Sequence, residues 1–396
     1  MRPATFIFCI CLAEILTMTP FATFPALLPH YFEAWQITGS EAGWVNGIFF
    51  LGFTIFGVFA STLTDKMDAR HIVLFGLLLA HVGAIGFAYL ADGFISALPW
   101  RFISGASLAC TYMPGLRMLT DRLTDTTYQR GIAFYTACFS TGSAVSFLLI
   151  GQIEKWGDTD LAVTSAIFGP PIALLLTLVV TGRRPHTAPR GWRELFNFAP
   201  VIRNTKAMGY VISYFCHSWE LMAMRSFIVA FMAFIASQNA APPWLDASMV
   251  ATIVIFMGLP ASVMGNELAL RIGRTRAILI LMMTGLLLSI LLGFSSSFPF
   301  LLVALIAIFY GTFVTADSSS ITSGAVLAAP SYLRGSTMAV HSFFGFLGAM
   351  LGPVVAGFML EMGGGHEVAF AWTLVFLSMG AISLVGPFAL RMTRQD

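Results

Sequence analysis

The chain is poor in charge. Asp, Glu, Lys and Arg make up 10% of its 396 residues, against roughly 25% in ordinary soluble domains. Nineteen acids and twenty-one bases leave a net charge of +2. That scarcity excludes a disordered chain, a nucleic-acid binder and a soluble enzyme. Cysteine is scarce too. Cys9, Cys11, Cys110, Cys138 and Cys216 all lie in apolar stretches without metal or disulfide spacing, so they read as buried apolar thiols and no metal is expected. There is no G-x-x-x-x-G-K-[ST] phosphate loop, no H-E-x-x-H and no G-x-S-x-G, so neither a nucleotide cofactor nor a hydrolytic centre is implied.

What is abundant is apolar. Hydrophobic residues are 57% of the chain, mean hydropathy is +0.83, and 37 Phe outnumber all the acids together. The fold class that follows is all-α and polytopic, with the lipid bilayer as solvent. Twelve stretches have the roughly 20 predominantly apolar residues that a spanning helix needs. They cover about 4–28, 42–63, 71–91, 96–119, 131–151, 160–181, 207–236, 248–265, 277–293, 299–325, 335–360 and 368–390. The first begins like a signal peptide but has no convincing small-x-small cleavage site, so it reads as a retained membrane helix. Residues 182–206 are polar and basic, and read as a cytoplasmic linker between an N-terminal bundle, 1–181, and a C-terminal bundle, 207–396.

Basic residues stay on the cytoplasmic side. With the N-terminus inside, 18 of the 21 Lys and Arg fall on inner connectors and only Lys155 falls outside, Arg101 and Arg225 being intramembrane. Both termini are therefore expected in the cytoplasm. The two halves repeat. Arg130-Gly131 matches Arg334-Gly335 at an offset of 204, and Asp68 in DKMDAR matches Gly273 in RIGRTR at 205. Gly142 and Gly151 match Gly348 and Gly357 at 206, as Glu14 matches Glu220. Duplicated halves of this kind are a transporter architecture.

Here the residues resemble the major facilitator superfamily, over essentially the whole chain. The family signature G-x-x-x-D-R-x-G-R-R falls on Ser61, Asp65, Lys66, Asp68, Ala69 and Arg70, with the acid and last base kept and both glycines replaced. The second copy keeps Arg271, Gly273, Arg274 and Arg276, with Leu270 for the acid. Arg101-Phe-Ile-Ser-Gly105 is similar to R-x-x-Q-G of proton-coupled members. Gly348-Ala-Met-Leu-Gly352-Pro353-Val-Val-Ala-Gly357 is similar to G-x-x-x-G-P-x-x-G-G of drug/proton antiporters, but sits in the half opposite to theirs. The resemblance implies a secondary transporter of the bacterial inner membrane, working without cofactor on a small-molecule substrate and protons, and taken as monomeric. It implies gating loops at Asp65, Arg70, Arg271 and Arg274. Gly348, Gly352 and Gly357 permit close helix approach, and Pro353 can kink its helix.

A charge at the bilayer centre costs roughly 2.5–3.5 kcal/mol on insertion scales. Glu14, Arg101, Glu220, Arg225 and Asp317 lie inside predicted spans. Unpaired, they would together cost on the order of 12–17 kcal/mol, so they must face a cavity or pair. Two readings follow: structural ion pairs, or a proton and substrate site. Glu14 and Glu220 are the candidate proton carriers, since an apolar cavity favours the neutral carboxyl. His217 and Trp219 accompany Glu220 on one span, with His217 on its face. Arg101 and Arg225 either tune a neighbouring acid or capture an anion. Asp317, in a run of Thr and Ser, is offered as the partner of Arg225. His341 joins the set as a further titratable group. The substrate class stays open between an amphipathic compound exported against protons and a small anion taken up with them. A transport-inactive receptor is the alternative of another class.

Overall fold

The computed structural model describes residues 2–182, 198–330 and 333–391. Among the described residues there is no strand. Twelve helical segments follow the twelve predicted spans in order: α1 Pro3–Thr17, α2 Gly39–Leu63, α3 Ala69–Leu90, α4 Phe94–Thr120, α5 Asp125–Glu154 and α6 Thr159–Val180. After the linker come α7 Thr205–Gln238, α8 Ala247–Ile272, α9 Arg274–Gly293, α10 Phe300–Ala328, α11 Arg334–Met362 and α12 Ala369–Arg391. Ten of these are long and apolar enough to cross a bilayer. The other two are α1, which is short, and α4, which holds Arg101, Arg117, Pro99 and Pro114. Residues 183–197 of the expected linker lie outside the described residues.

Contacts divide the chain into two units. Met1–Leu27 and Ile48–Leu195 form one; Leu28–Gly47 and Phe196–Asp396 form the other. The expected boundary lay at the linker alone. The tip of the α1–α2 hairpin belongs to the second unit because its glycines seat on α11. A Cβ on Gly39 would strike the Gly357 carbonyl oxygen, and one on Gly43 would reach the Pro353 carbonyl oxygen. Phe32, in the short helix Leu28–Ala34, stacks on His366 at 4.2 Å.

Several helices are interrupted where the chain carries polar or proline residues. The first span was expected to run to 28, yet α1 stops at Thr17, and Met18–Phe24 are turns. Pro20 has no N–H to continue the ladder and forces Thr19 out of helical geometry. Thr19 Oγ1 instead donates to Leu16 O at 3.0 Å and Ala166 O at 2.9 Å. Helix α10 breaks at Asp317, between Phe300–Ala316 and Ser318–Ala328. Helix α12 tightens into a 3₁₀ turn at Ile382–Leu384. Gly273, at φ +90°, makes the sharp turn from α8 to α9 between Arg271 and Arg274, a conformation that glycine adopts without the steric penalty a side chain brings.

Candidate functional site

Each unit holds one of the two repeat-related carboxyls, Glu14 and Glu220. In the first unit Glu14 is 4% exposed. It lies on α1, and Tyr135 of α5 donates its hydroxyl to Glu14 Oε2 at 3.0 Å. The same hydroxyl lies 3.1 Å from the Thr111 carbonyl of α4. A cavity of about 10 Å³ borders the carboxyl, lined by Thr17, Val73, Thr111, Tyr135 and Thr177 among others; that is the order of one water.

Arg101 lies elsewhere in the same unit. Its Nη1 donates to the Phe21 carbonyl at 3.3 Å, inside the break of α1, and its guanidinium sits 4.8 Å from the Phe49 ring centroid. Ser146 of α5 completes the brace: its Oγ donates to Thr19 O at 2.7 Å and accepts from Ala22 N at 2.9 Å. Non-helical backbone at membrane depth is tolerated only where such partners exist. Arg101 therefore acts on backbone and aromatic faces.

In the second unit Glu220 of α7 is 3% exposed. Ser383, presented by the 3₁₀ turn of α12, donates to its Oε2 at 2.6 Å, and Tyr310 of α10 donates to its Oε1 at 3.0 Å. Among the described residues no cation contacts this carboxyl; hydroxyls satisfy it. His217, one turn earlier on α7, places Nδ1 2.7 Å from Asp317 Oδ1, within ion-pair range but without hydrogen-bond alignment. Asp317 thus meets His217, where the sequence offered Arg225. His341 of α11 lies 3.2 Å from Thr322 Oγ1 through Nε2. Arg225 is buried further along α7, and Trp219 is half-buried, its ring 5.9 Å from Phe215.

The packing and loop residues fall as follows. Gly348 and Gly352 bring α11 onto α7, where a Cβ would strike the Phe215 and Trp219 carbonyl oxygens. Gly357 and Pro353 face the hairpin tip. In the α2–α3 loop Arg122 Nη2 lies 3.2 Å from Asp68 Oδ2. Arg70 reaches the end of α6, donating to Thr181 Oγ1 at 2.9 Å. Asp65 is half-buried in that loop. Arg271 is exposed and Arg274 partly so.

Reading the sequence missed Tyr135, Tyr310, Ser383 and Ser146. Each is a hydroxyl in an apolar span, and that is the one signal available: a buried Tyr needs a partner for its O–H.

The chain matches the sequence model of the Major Facilitator Superfamily over residues 10–249, more than half its length. It is 28% identical over 402 residues to the multidrug resistance protein MdtH of Photorhabdus laumondii, covering 93% of this chain and 89% of that protein. It is 22% identical over 363 residues to the uncharacterised MFS-type transporter YceJ of Bacillus subtilis, covering 89% of each. The fold is that of the nucleoside transporter NupG, with a TM-score of 0.73, 17% identity and full coverage of both chains. A bacterial homologue of the human lysosomal transporter Spinster gives a TM-score of 0.78 at 12% identity, covering 99% of this chain and 96% of that one.

Proposed function

The chain belongs to the major facilitator superfamily, a family of multi-pass membrane transporters, and from that premise we propose that it is a proton-coupled secondary transporter that exports amphipathic compounds by alternating access. The observation that carries the coupling is the pair of repeat-related carboxyls, Glu14 and Glu220, each buried and each met by hydroxyls. A carboxyl held this way can take up and release a proton without breaking an ion pair. Tyr310 and Ser383 stay in place in either state, because a hydroxyl can donate to the carboxylate or accept from the carboxylic acid.

Export is favoured over anion uptake by two points. Arg101, one of the two arginines available for an anion, is directed to the Phe21 carbonyl and the Phe49 ring. The relative MdtH is named a multidrug resistance protein. The carrier is read as a monomer of the bacterial inner membrane, two six-helix halves joined by 182–206, with both termini cytoplasmic. The loops at Asp65, Arg70, Arg271 and Arg274 are read as gates. Family membership speaks for a carrier over an enzyme.

The test is Glu220→Gln in proteoliposomes with an imposed pH gradient. Gln keeps the shape, its carbonyl oxygen accepting from one hydroxyl while its NH2 donates to the other, so folding and expression stay near wild type. Uptake of a lipophilic cation falls by about tenfold or more, or loses its pH dependence, as expected when a proton-transfer group is removed. Unchanged, pH-dependent uptake in the variant refutes the role. Binding of a carboxylate in place of the lipophilic cation, abolished by Arg225→Ala, would replace export with anion uptake.

A further inference from the structure

The internal repeat exposes an asymmetry between the units. Helices α4 and α10 begin at Phe94 and Phe300, again 206 apart. The same offset that relates Glu14 to Glu220 relates Cys11 to His217, Thr111 to Asp317, and Tyr135 to His341. In the first unit these positions hold a thiol and two hydroxyl side chains, with Tyr135 closing on Glu14 and on the Thr111 backbone. In the second unit the same three positions hold two imidazoles and a carboxyl.

Their geometry is specific. His217 and Asp317 are 2.7 Å apart and both 3% exposed; His341 is 1% exposed. The Tyr214 ring stacks on His341 at 3.9 Å and 17°, and on His217 at 5.5 Å and 15°. His341 holds Thr322 through Nε2, and its buried Nδ1 has no hydrogen-bond partner. Tyr214, Cys216 and Glu220 on α7 lie within electrostatic reach of Asp317 on α10, and His341 on α11 within reach of His217.

Resting on the proton-coupled reading above, we propose that His217, Asp317 and His341 form a second proton station in the second unit, which holds α7, α10 and α11 together while its proton sits on an imidazole. Counting charge shows why one proton suits it. With Asp317 ionised and one imidazole protonated, the cluster is neutral; adding or removing a proton leaves a net charge in an apolar interior, which is costly. The proton moves at constant net charge. The N–H bond at His217 Nδ1 breaks, its electron pair stays on nitrogen, and a lone pair of Asp317 Oδ1 forms the new O–H bond. An ion pair across α7 and α10 thereby becomes a contact between two neutral groups, and the contact weakens. Among the described residues the first unit has no imidazole or carboxyl at these three positions, so the coupling step that moves helices belongs to the second.

The test compares wild type, His217→Gln, Asp317→Asn and the double variant in proteoliposomes. Each is measured for substrate counterflow at equal pH on both sides and for the pH profile of gradient-driven transport. Each single variant leaves one buried group without its counterpart, so counterflow falls by about tenfold or more. The double variant removes both charges; counterflow returns to within about threefold of wild type, since a neutral replacement of a buried pair is tolerated, while the pH profile moves by about one unit or more. Where a single variant does not fold, His341→Gln carries the test: its pH profile shifts by about one unit or more. A double variant no better than the worse single variant overturns the station, as does a wild-type pH profile in the double variant or in His341→Gln. These outcomes are distinct from failure of the coupling itself, which shows as wild-type protein that moves substrate without protons.

Discussion

Ser146 bonds two backbone groups that the break in α1 sets loose, Thr19 O and Ala22 N. Leaving a buried donor or acceptor unmet costs about 1–3 kcal/mol for each group. Ser146→Ala should therefore lower the thermal midpoint of the purified carrier in detergent by several degrees, and Ser146→Thr, which keeps the hydroxyl, should lower it less. An alanine variant that melts with wild type removes the brace from the account. At this scale the sequence is legible where charge is rare. Glu14, Arg101, Glu220, Arg225 and Asp317 stand out because ionised groups are expensive in apolar spans. Their partners do not stand out. Hydroxyls are common in membrane helices, where most bond their own backbone, as Thr17 does to Ala13 O; only tertiary packing selects Tyr135, Tyr310 and Ser383 for the acids. The His217–Asp317 contact joins residues 100 positions apart in the chain, so helical spacing could not reveal it.

Helices α7 and α11 approach so closely that backbone meets backbone. Gly352 is where the Trp219 carbonyl oxygen occupies the space a Cβ would need. Gly352→Val should push the two helices apart at a cost of about 1–3 kcal/mol, read as a lower thermal midpoint. It should also weaken substrate counterflow, because α7 carries His217 and Glu220. A valine variant with wild-type melting and counterflow means that the close approach is dispensable. Most helices are legible at this scale, since length and hydropathy mark them directly. The exceptions are instructive. The apolar run from α1 continues through Phe21, Phe24 and Leu27, so hydropathy carries the expected helix past Thr17, where α1 stops ahead of Pro20. The break of α10 at Asp317 leaves no proline or glycine at that point.

Over the whole molecule, the repeat and the distribution of basic residues say more than any single motif. From the 18-to-1 bias of basic residues, residues 182–206 are expected on the cytoplasmic side. A cysteine introduced there should resist a membrane-impermeant thiol reagent added to sealed cells and react once the membrane is opened; labelling in sealed cells reverses the orientation. The family was legible because its signatures are local in sequence. The membership of Leu28–Gly47 in the second unit was not, because it rests on Gly39 and Gly43 meeting residues of α11 more than 300 positions away. Export by this carrier is proposed to be driven by protons moving in the opposite direction. The direct measurement is proton movement in proteoliposomes given a lipophilic-cation gradient and no imposed pH gradient, with an internal pH dye as readout. Wild-type protein should move protons opposite to the substrate and Glu220→Gln should not; substrate movement by wild type with no change of internal pH refutes the coupling.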